Sequence, residues 1–484
     1  MKEKIARITG RFERLVLARK LKDWQQVLVF LAIKYLYELA SVLILKDLWY
    51  QGSGGYMIDF VWWKELIGSA VFAAVAFGFV RWLDGDTFVR RLLHLLFVFH
   101  YIPANSAFAV LNTSGQYFVL TTVYFVLILA CVWGAEWLLK KYAGRCRALR
   151  SACGKPSADA EKIMHFMINA VCILVCCVLI IHKINYNGLS FSLSMAGEDV
   201  YTGRADYETF IRAYAGTPYG YLASLVMSLT GYLAPFYLLY SLIRKNWPGI
   251  GISVIALLSS FSMMGSKGSI IFVAIVLAIY VLWKMKWLRY LNRVFDMGML
   301  ALLLVCIAAF FLLGKSQLYM FILRREMYVP GWLSWLYYDY FSQTDKLYFS
   351  QSAFLLQKLI NLGEEVPLLT QISEAYFGGT IPSPNTGMFA EAYMQLGVVG
   401  IVVYPVLFAT AFTLVEKVLD GYGKAINAFL VCKVVLSLLN VPMLRTDFVL
   451  SFFAFIGILL LIRFAPCVLQ RIRYRKAKGS GTVS

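Results

Sequence analysis

Three arginines and two carboxylates in this 484-residue chain stand where fixed charge could act on a ligand. Arg324 and Arg325 open the run Arg324-Arg325-Glu326, and Arg445 lies between Pro442 and Asp447. A guanidinium stays charged at any working pH and offers paired N–H donors that match the oxygens of a phosphate. Glu391 stands in Ala390-Glu391-Ala392-Tyr393, two residues before a further aromatic-polar pair ending in Gln395, and Asp339 stands in the aromatic run 332–341. A carboxylate partly withdrawn from water has a raised pKa and can orient or deprotonate a hydroxyl. Structural pairing is the alternative at each position: Glu326 and Asp447 for the arginines, Arg445 or Lys267 for Glu391.

These residues occupy the polar parts of an apolar chain. Hydrophobic residues make up 60% and charged residues 15%, where a soluble domain carries about 25% charged. That balance excludes a soluble domain. Continuous apolar runs of about twenty residues are membrane-spanning helices; barrel strands would be shorter and would alternate. The expected fold is an all-α polytopic bundle of about twelve spans, near 25–45, 65–82, 92–111, 117–139, 163–182, 219–243, 249–264, 268–283, 297–314, 390–415, 425–441 and 447–465. With the N-terminus inside, the inner segments hold 32 Lys and Arg and the outer segments 12. The positive-inside rule then places both termini in the cytoplasm. The net charge of +19 belongs to these loops, and no nucleic-acid partner is expected. The organisation read from this is a basic interfacial segment at 1–24, spans over 25–314 with an outer loop at 183–218, a large outer loop at 315–389, spans over 390–466, and a basic tail at 467–484. The 315–389 loop is expected to be ordered and partly helical. Trp332, Trp335, Leu336 and Tyr340 form one apolar stripe at helical spacing, and Phe354, Leu355, Leu359 and Leu362 form another.

Other residues on the expected outer side widen the inventory. Lys267 lies in the glycine turn Gly265-Ser266-Lys267-Gly268, ahead of a helix whose N-terminus favours an anion; a plain hairpin with a snorkelling lysine is the alternative. Arg204 and Arg212 lie in the loop at 183–218. The aromatics Trp332, Trp335, Tyr337, Tyr338, Tyr340 and Phe341 suit either a membrane-interface belt or a platform for sugar rings. Within the spans, Lys34 and Glu38 share a helix face, as a structural pair or part of a proton path, and Lys433 either lines a cavity or snorkels. The cysteines show no disulfide framework, and no metal-ligand spacing or cofactor motif is present.

Several of these segments resemble the bacterial polysaccharide repeat-unit polymerases, the O-antigen polymerase family of the Wzy type. They are Gly265-Ser266-Lys267-Gly268; Arg324 followed by Pro330-Gly331, Tyr338, Asp339 and Phe341-Ser342; Pro384-Asn385-Thr386-Gly387-Met388-Phe389-Ala390-Glu391-Ala392-Tyr393 with Leu396-Gly397-Val398-Val399-Gly400; and Arg445-Thr446-Asp447. The family commonly has arginine where this chain has Lys267. The resemblance implies an integral-membrane glycosyltransferase of the GT-C kind in the bacterial cytoplasmic membrane. Such an enzyme joins oligosaccharide units carried on undecaprenyl pyrophosphate at the outer face, in some cases beside a chain-length-regulating membrane protein. On that expectation Glu391, Arg324 and Asp339 are catalytic. Arg325, Arg445, Lys267, Asn385, Tyr338, Arg204 and Arg212 bind pyrophosphate or substrate, and arginine replaces a metal ion. An O-antigen ligase, or a flippase or transporter of lipid-linked oligosaccharide, is the competing expectation.

Overall fold

Backbone polar groups in hydrocarbon must be satisfied within their own segment, and helices do this along the whole chain. The computed structural model describes residues 13, 21–46, 58–83, 85–142, 158–188, 198–214, 216–264, 267–314, 316–349, 368–378, 386–445 and 448–479, among which no strand occurs. The protein is an all-α polytopic membrane helix bundle. Its helices are α1 Asp23–Leu45, α2 Trp62–Leu83, α3 Phe88–Leu96, α4 Ile102–Val110, α5 Gly115–Tyr142, α6 Ala158–Asn187, α7 Glu198–Ala213, α8 Pro218–Arg244, α9 Trp247–Met264, α10 Lys267–Lys284 and α11 Leu291–Leu313. After these come α12 Val329–Gln343, α13 Leu368–Phe377, α14 Met388–Leu396, α15 Val398–Leu419, α16 Lys424–Asn440 and α17 Ala454–Gly479. A π-helical turn, Phe97–Tyr101, joins α3 to α4 into one span, and two further π-helices, Tyr319–Tyr328 and Val449–Phe453, precede α12 and α17.

Each of the expected spans falls on a helix. Among the described residues nine helices are long and apolar enough to cross a membrane, and α9 and α10 contain shorter apolar stretches. Two boundaries differ from expectation. The segment expected as one span at 390–415 is two helices, broken at Gly397, whose φ of +59° is left-handed. Three residues on, a Cβ at Gly400 would lie 1.8 Å from the Ala392 carbonyl oxygen. These glycines serve the sharp junction of α14 with α15, Gly400 letting α15 start against the backbone of α14. The last helix runs on to Gly479, into the segment expected as a tail. The interfacial segment at 1–24 lies mostly outside the described residues, and the Phe354–Leu362 stripe lies wholly outside them.

By its internal contacts the chain divides into two units, both discontinuous in sequence. The first comprises Met1–Leu138, Arg289–Thr413 and Val434–Arg445. In it α11 packs on α1, α1 on α2, and α2 on α4; α12 lies between α4 and α14. On α12, Trp332, Leu333, Leu336, Tyr337, Tyr338 and Phe341 are all buried, and only Trp335, Asp339 and Tyr340 on that stretch are half-buried. An interface belt and a core helix draw on the same large aromatics. Helices in lipid associate by close van der Waals packing, which Trp and Tyr supply along with edge and face contacts. The second unit comprises Leu139–Leu288, Leu414–Lys433 and Thr446–Ser484, with α8 packed on α6, α9 and α10.

Each unit buries charge. In the first, the Lys34 ammonium donates to Glu38 (2.6 Å), to Glu65 on α2 (2.5 Å) and to Ser69 (3.3 Å), so the pair on α1 acquires a second carboxylate. In the second, Lys433 of α16 is 7% exposed, its Nζ lying 3.3 Å from the ring centre of Phe272 and 4.8 Å from that of Tyr232. Each cation–π contact contributes about 0.5–2 kcal/mol, against a cost of several kcal/mol for withdrawing an ion from water.

Candidate functional site

Two of the three arginines singled out in the first unit stand on an unusual piece of backbone. Arg324 and Arg325 lie in the 10-residue π-helix Tyr319–Tyr328. Such helices are rare, mostly single-turn, and frequent at functional sites, because the backbone is wider and less regular than an α-helix. Pro330 ends this geometry by opening α12 at its second residue, where a missing N–H costs nothing. The π-helix is fixed to α1 by Tyr319, whose hydroxyl lies 2.7 Å from Ser41 Oγ. Arg325 is exposed, Arg324 half-buried, and Glu326 lies 4.0 Å from Arg325. Glu326 also accepts from the Asn440 amide at 3.4 Å. Burial pushes its carboxyl up, and Arg325 and Asn440 offset part of that.

The Glu326–Asn440 bond brings the arginine-bearing π-helix to the last residue of α16. Five residues later comes Arg445, at the end of a turn closed by the Arg445 N–H donating to the Pro442 carbonyl (3.2 Å). Arg445 lies near Tyr337 of α12. Burial pushes that phenol up and the guanidinium charge draws it partly back. Thus Arg445 lies near α12, and Glu326, next to Arg324 and Arg325 on the π-helix, meets the end of α16.

Glu391 holds this turn. Its carboxylate is fully buried and accepts the backbone N–H groups of Met443 and Leu444, the latter at 2.8 Å. Each oxygen takes one amide, and the Tyr404 hydroxyl lies beside them. Burial pushes the Glu391 carboxyl up to about 8, even though the two amides and Tyr404 favour its charged form. Gly387, just before α14, makes the approach possible: a Cβ there would come within 2.7 Å of the Leu438 carbonyl and 2.9 Å of the Leu439 carbonyl. At the same end the Tyr124 hydroxyl donates to the Met388 carbonyl at 3.2 Å. At the other end of α14 the carbonyls of Met394 and Gln395, left without partners inside the helix, accept the N–H groups of Leu347 and Tyr348. The segment after α12 is thereby docked on α14, and Lys346 lies 5.4 Å from the centre of the Tyr393 ring.

Asp339 is the more accessible carboxylate. It is half-buried on α12 and accepts from the Tyr376 hydroxyl of α13 at 2.7 Å. Burial and then the Asp339 carboxylate push that phenol up. Tyr338 is buried under Tyr393 (4.8 Å between ring centres) and Tyr117 (5.4 Å). On the platform expected for sugar, Trp335 stacks on Tyr338 at 5.6 Å, so its half-buried ring is the part still open to a partner.

The remaining expected residues stand elsewhere. Arg204 and Arg212 lie in α7 and Lys267 opens α10, all in the second unit. Arg212 pairs with Glu208 one turn back at 3.6 Å, both strongly exposed. The side chains of Arg204 and Lys267, together with Asn385 and Asp447, lie outside the described residues. Among the described residues no group of three or more His, Cys, Asp or Glu is placed to hold a metal ion. Tyr124, Tyr404, Tyr376 and Asn440 join the site without having been singled out in sequence. Two of them sit within apolar runs, where a tyrosine reads as packing. Asn440 alone carried a signal, as a polar residue closing a span just before a proline. Comparison with known protein families, curated proteins and solved structures finds nothing that matches this chain.

Proposed function

We propose that this protein is an integral-membrane glycosyltransferase that polymerises oligosaccharide units carried on a polyprenyl pyrophosphate. It would work at the outer face of a bacterial cytoplasmic membrane, with both chain termini in the cytoplasm. The observation that carries this reading is the clamp of Glu391 on the amides of Met443 and Leu444, which fixes the turn leading into Arg445. Beside it lie Glu326 and Asn440, and with them the π-helix of Arg324 and Arg325.

In the reaction an acceptor hydroxyl oxygen attacks the anomeric carbon of the donor. The bond from that carbon to the pyrophosphate oxygen breaks, its electron pair leaves with the pyrophosphate, and the hydroxyl proton passes to a carboxylate. Arg324, Arg325 and Arg445 supply fixed positive charge for the departing anion; one preorganised donor of this kind is worth about 10²–10³ in rate. Asp339, half-buried and oriented by Tyr376, takes the proton. Glu391, with both oxygens on backbone amides, acts as a positioning residue for Arg445 in this scheme. Trp335 offers an aromatic face to a sugar ring.

Deleting the gene and resolving surface polysaccharide on a gel tests the proposal. Chains carrying a single repeat unit are the expected result. Loss of all attached chain would transfer the reading to a ligase or a flippase, and an unchanged ladder would end it.

A further inference from the structure

Among the described residues, Lys433 has no counter-ion. It sits in the middle of α16, is buried, and among the described residues has no hydrogen-bond or ion-pair partner; its ammonium rests against the faces of Phe272 and Tyr232. An aromatic face offsets only part of the cost of withdrawing an ammonium from water and satisfies none of its three N–H donors. Phe272 marks where this charge stands. It is five residues into the 18-residue helix α10, roughly 7.5 Å along the axis from the first residue at 1.5 Å per residue. The flexible stem of a lysine extends several ångströms toward an interface. The Lys433 ammonium therefore stands beside the first turn and a half of α10, a helix whose N-terminal N–H groups and dipole carry positive charge of their own. Two independent positive features, one of them buried and without a partner among the described residues, stand in the second unit.

We propose that Lys433 and the N-terminal turn of α10 form a binding site for a phosphate group, with Phe272 and Tyr232 as its apolar walls. Polymerisation brings together two substrates that each carry a pyrophosphate, one that leaves and one that stays on the acceptor lipid. Assigning this site to the retained pyrophosphate rests on the function proposed above; the phosphate site itself does not. A lysine suits that task because it grips a phosphate as a point charge without bidentate geometry.

The test measures how many equivalents of a polyprenyl diphosphate bind the full-length protein in neutral-lipid nanodiscs. The same titration is repeated with inorganic pyrophosphate and with phosphatidylglycerol, to separate a lipid diphosphate from a free anion or a general anionic headgroup. Two equivalents are expected for the wild type and one for Lys433→Gln, with Lys433→Arg restoring the second. Loss of a charged hydrogen-bond donor should weaken that second site roughly tenfold or more. Arg445→Ala should also retain one equivalent, and it is the Lys433-dependent one. Unliganded melting of Lys433→Gln at or above the wild-type temperature shows that the fold is intact, since the change removes a buried unpaired charge. Equal binding of every probe by Lys433→Gln and wild type would overturn the proposal. Lys433-dependent binding in a protein that makes no polymer would keep the site and remove the polymerase reading.

Discussion

Among single residues, Glu391 and Asp339 are two carboxylates with different tasks. Glu391→Gln replaces one acceptor oxygen by an NH₂ group that faces a backbone N–H donor, leaving a buried amide unmatched. The expected cost is about 1–3 kcal/mol of stability, visible as a lower melting temperature, together with loss of activity through the Arg445 turn. Asp339→Asn keeps the Tyr376 contact but cannot take a proton. It should leave melting nearly unchanged and lower turnover by about 10²–10⁴. The two carboxylates thus separate by which measurement moves. A pH dependence follows from Glu391 as well. Its folded carboxyl titrates near 8, above that of an unfolded chain, so between those values the folded state holds the extra proton. Stability contributed by this group is greatest below the unfolded value and falls as pH rises toward 8. Melting followed across that range should decline in the wild type and flatten in Glu391→Gln; parallel curves would contradict the assignment.

At the scale of elements, the decisive features are the breaks in helices. The spans were legible because some eighteen consecutive apolar residues have one structural solution in a bilayer. The break at Gly397 was not, because it interrupts an unbroken apolar run, and only its left-handed φ and the Ala392 carbonyl beside Gly400 reveal it. The π-helix at Tyr319–Tyr328 was equally hidden, since its residues have no periodicity of their own. Helix α12 was legible by its apolar stripe; its burial between α4 and α14 was not, as Trp332 and Tyr337 suit a buried face as well as a lipid interface. Within the site, Arg324, Arg445, Asp339 and Glu391 were legible by charge in an apolar chain. The amides that Glu391 holds were not, being more than fifty residues away and offering only backbone groups. Gly397→Ala should cost about 1–3 kcal/mol, the strain of an L-residue at that backbone geometry. A melting curve in detergent checks it, and since α14 carries Glu391, polymer formation should fall with stability.

At the scale of the whole molecule, the chain is a helical membrane protein whose two units are each interleaved in sequence. The first spans three separate stretches, and Arg324, Glu391 and Arg445 all fall within it although loops and spans separate them in sequence. The excess of Lys and Arg in alternate loops leads to a proposed orientation that is open to direct measurement. A reporter active only in the cytoplasm, fused after Ser484, should be active, and activity instead of a periplasm-specific reporter there would reverse the assignment of faces. The central claim is that Arg445, held by Glu391, neutralises the departing pyrophosphate. Its most direct test is polymer formation from purified lipid-linked units by the wild type and by Arg445→Ala, each checked for folding by its melting curve. A ladder of chain lengths is expected from the wild type and, from an equally stable Arg445→Ala, a loss of about 10²–10³ in rate; an unchanged ladder from that variant would contradict this role of Arg445.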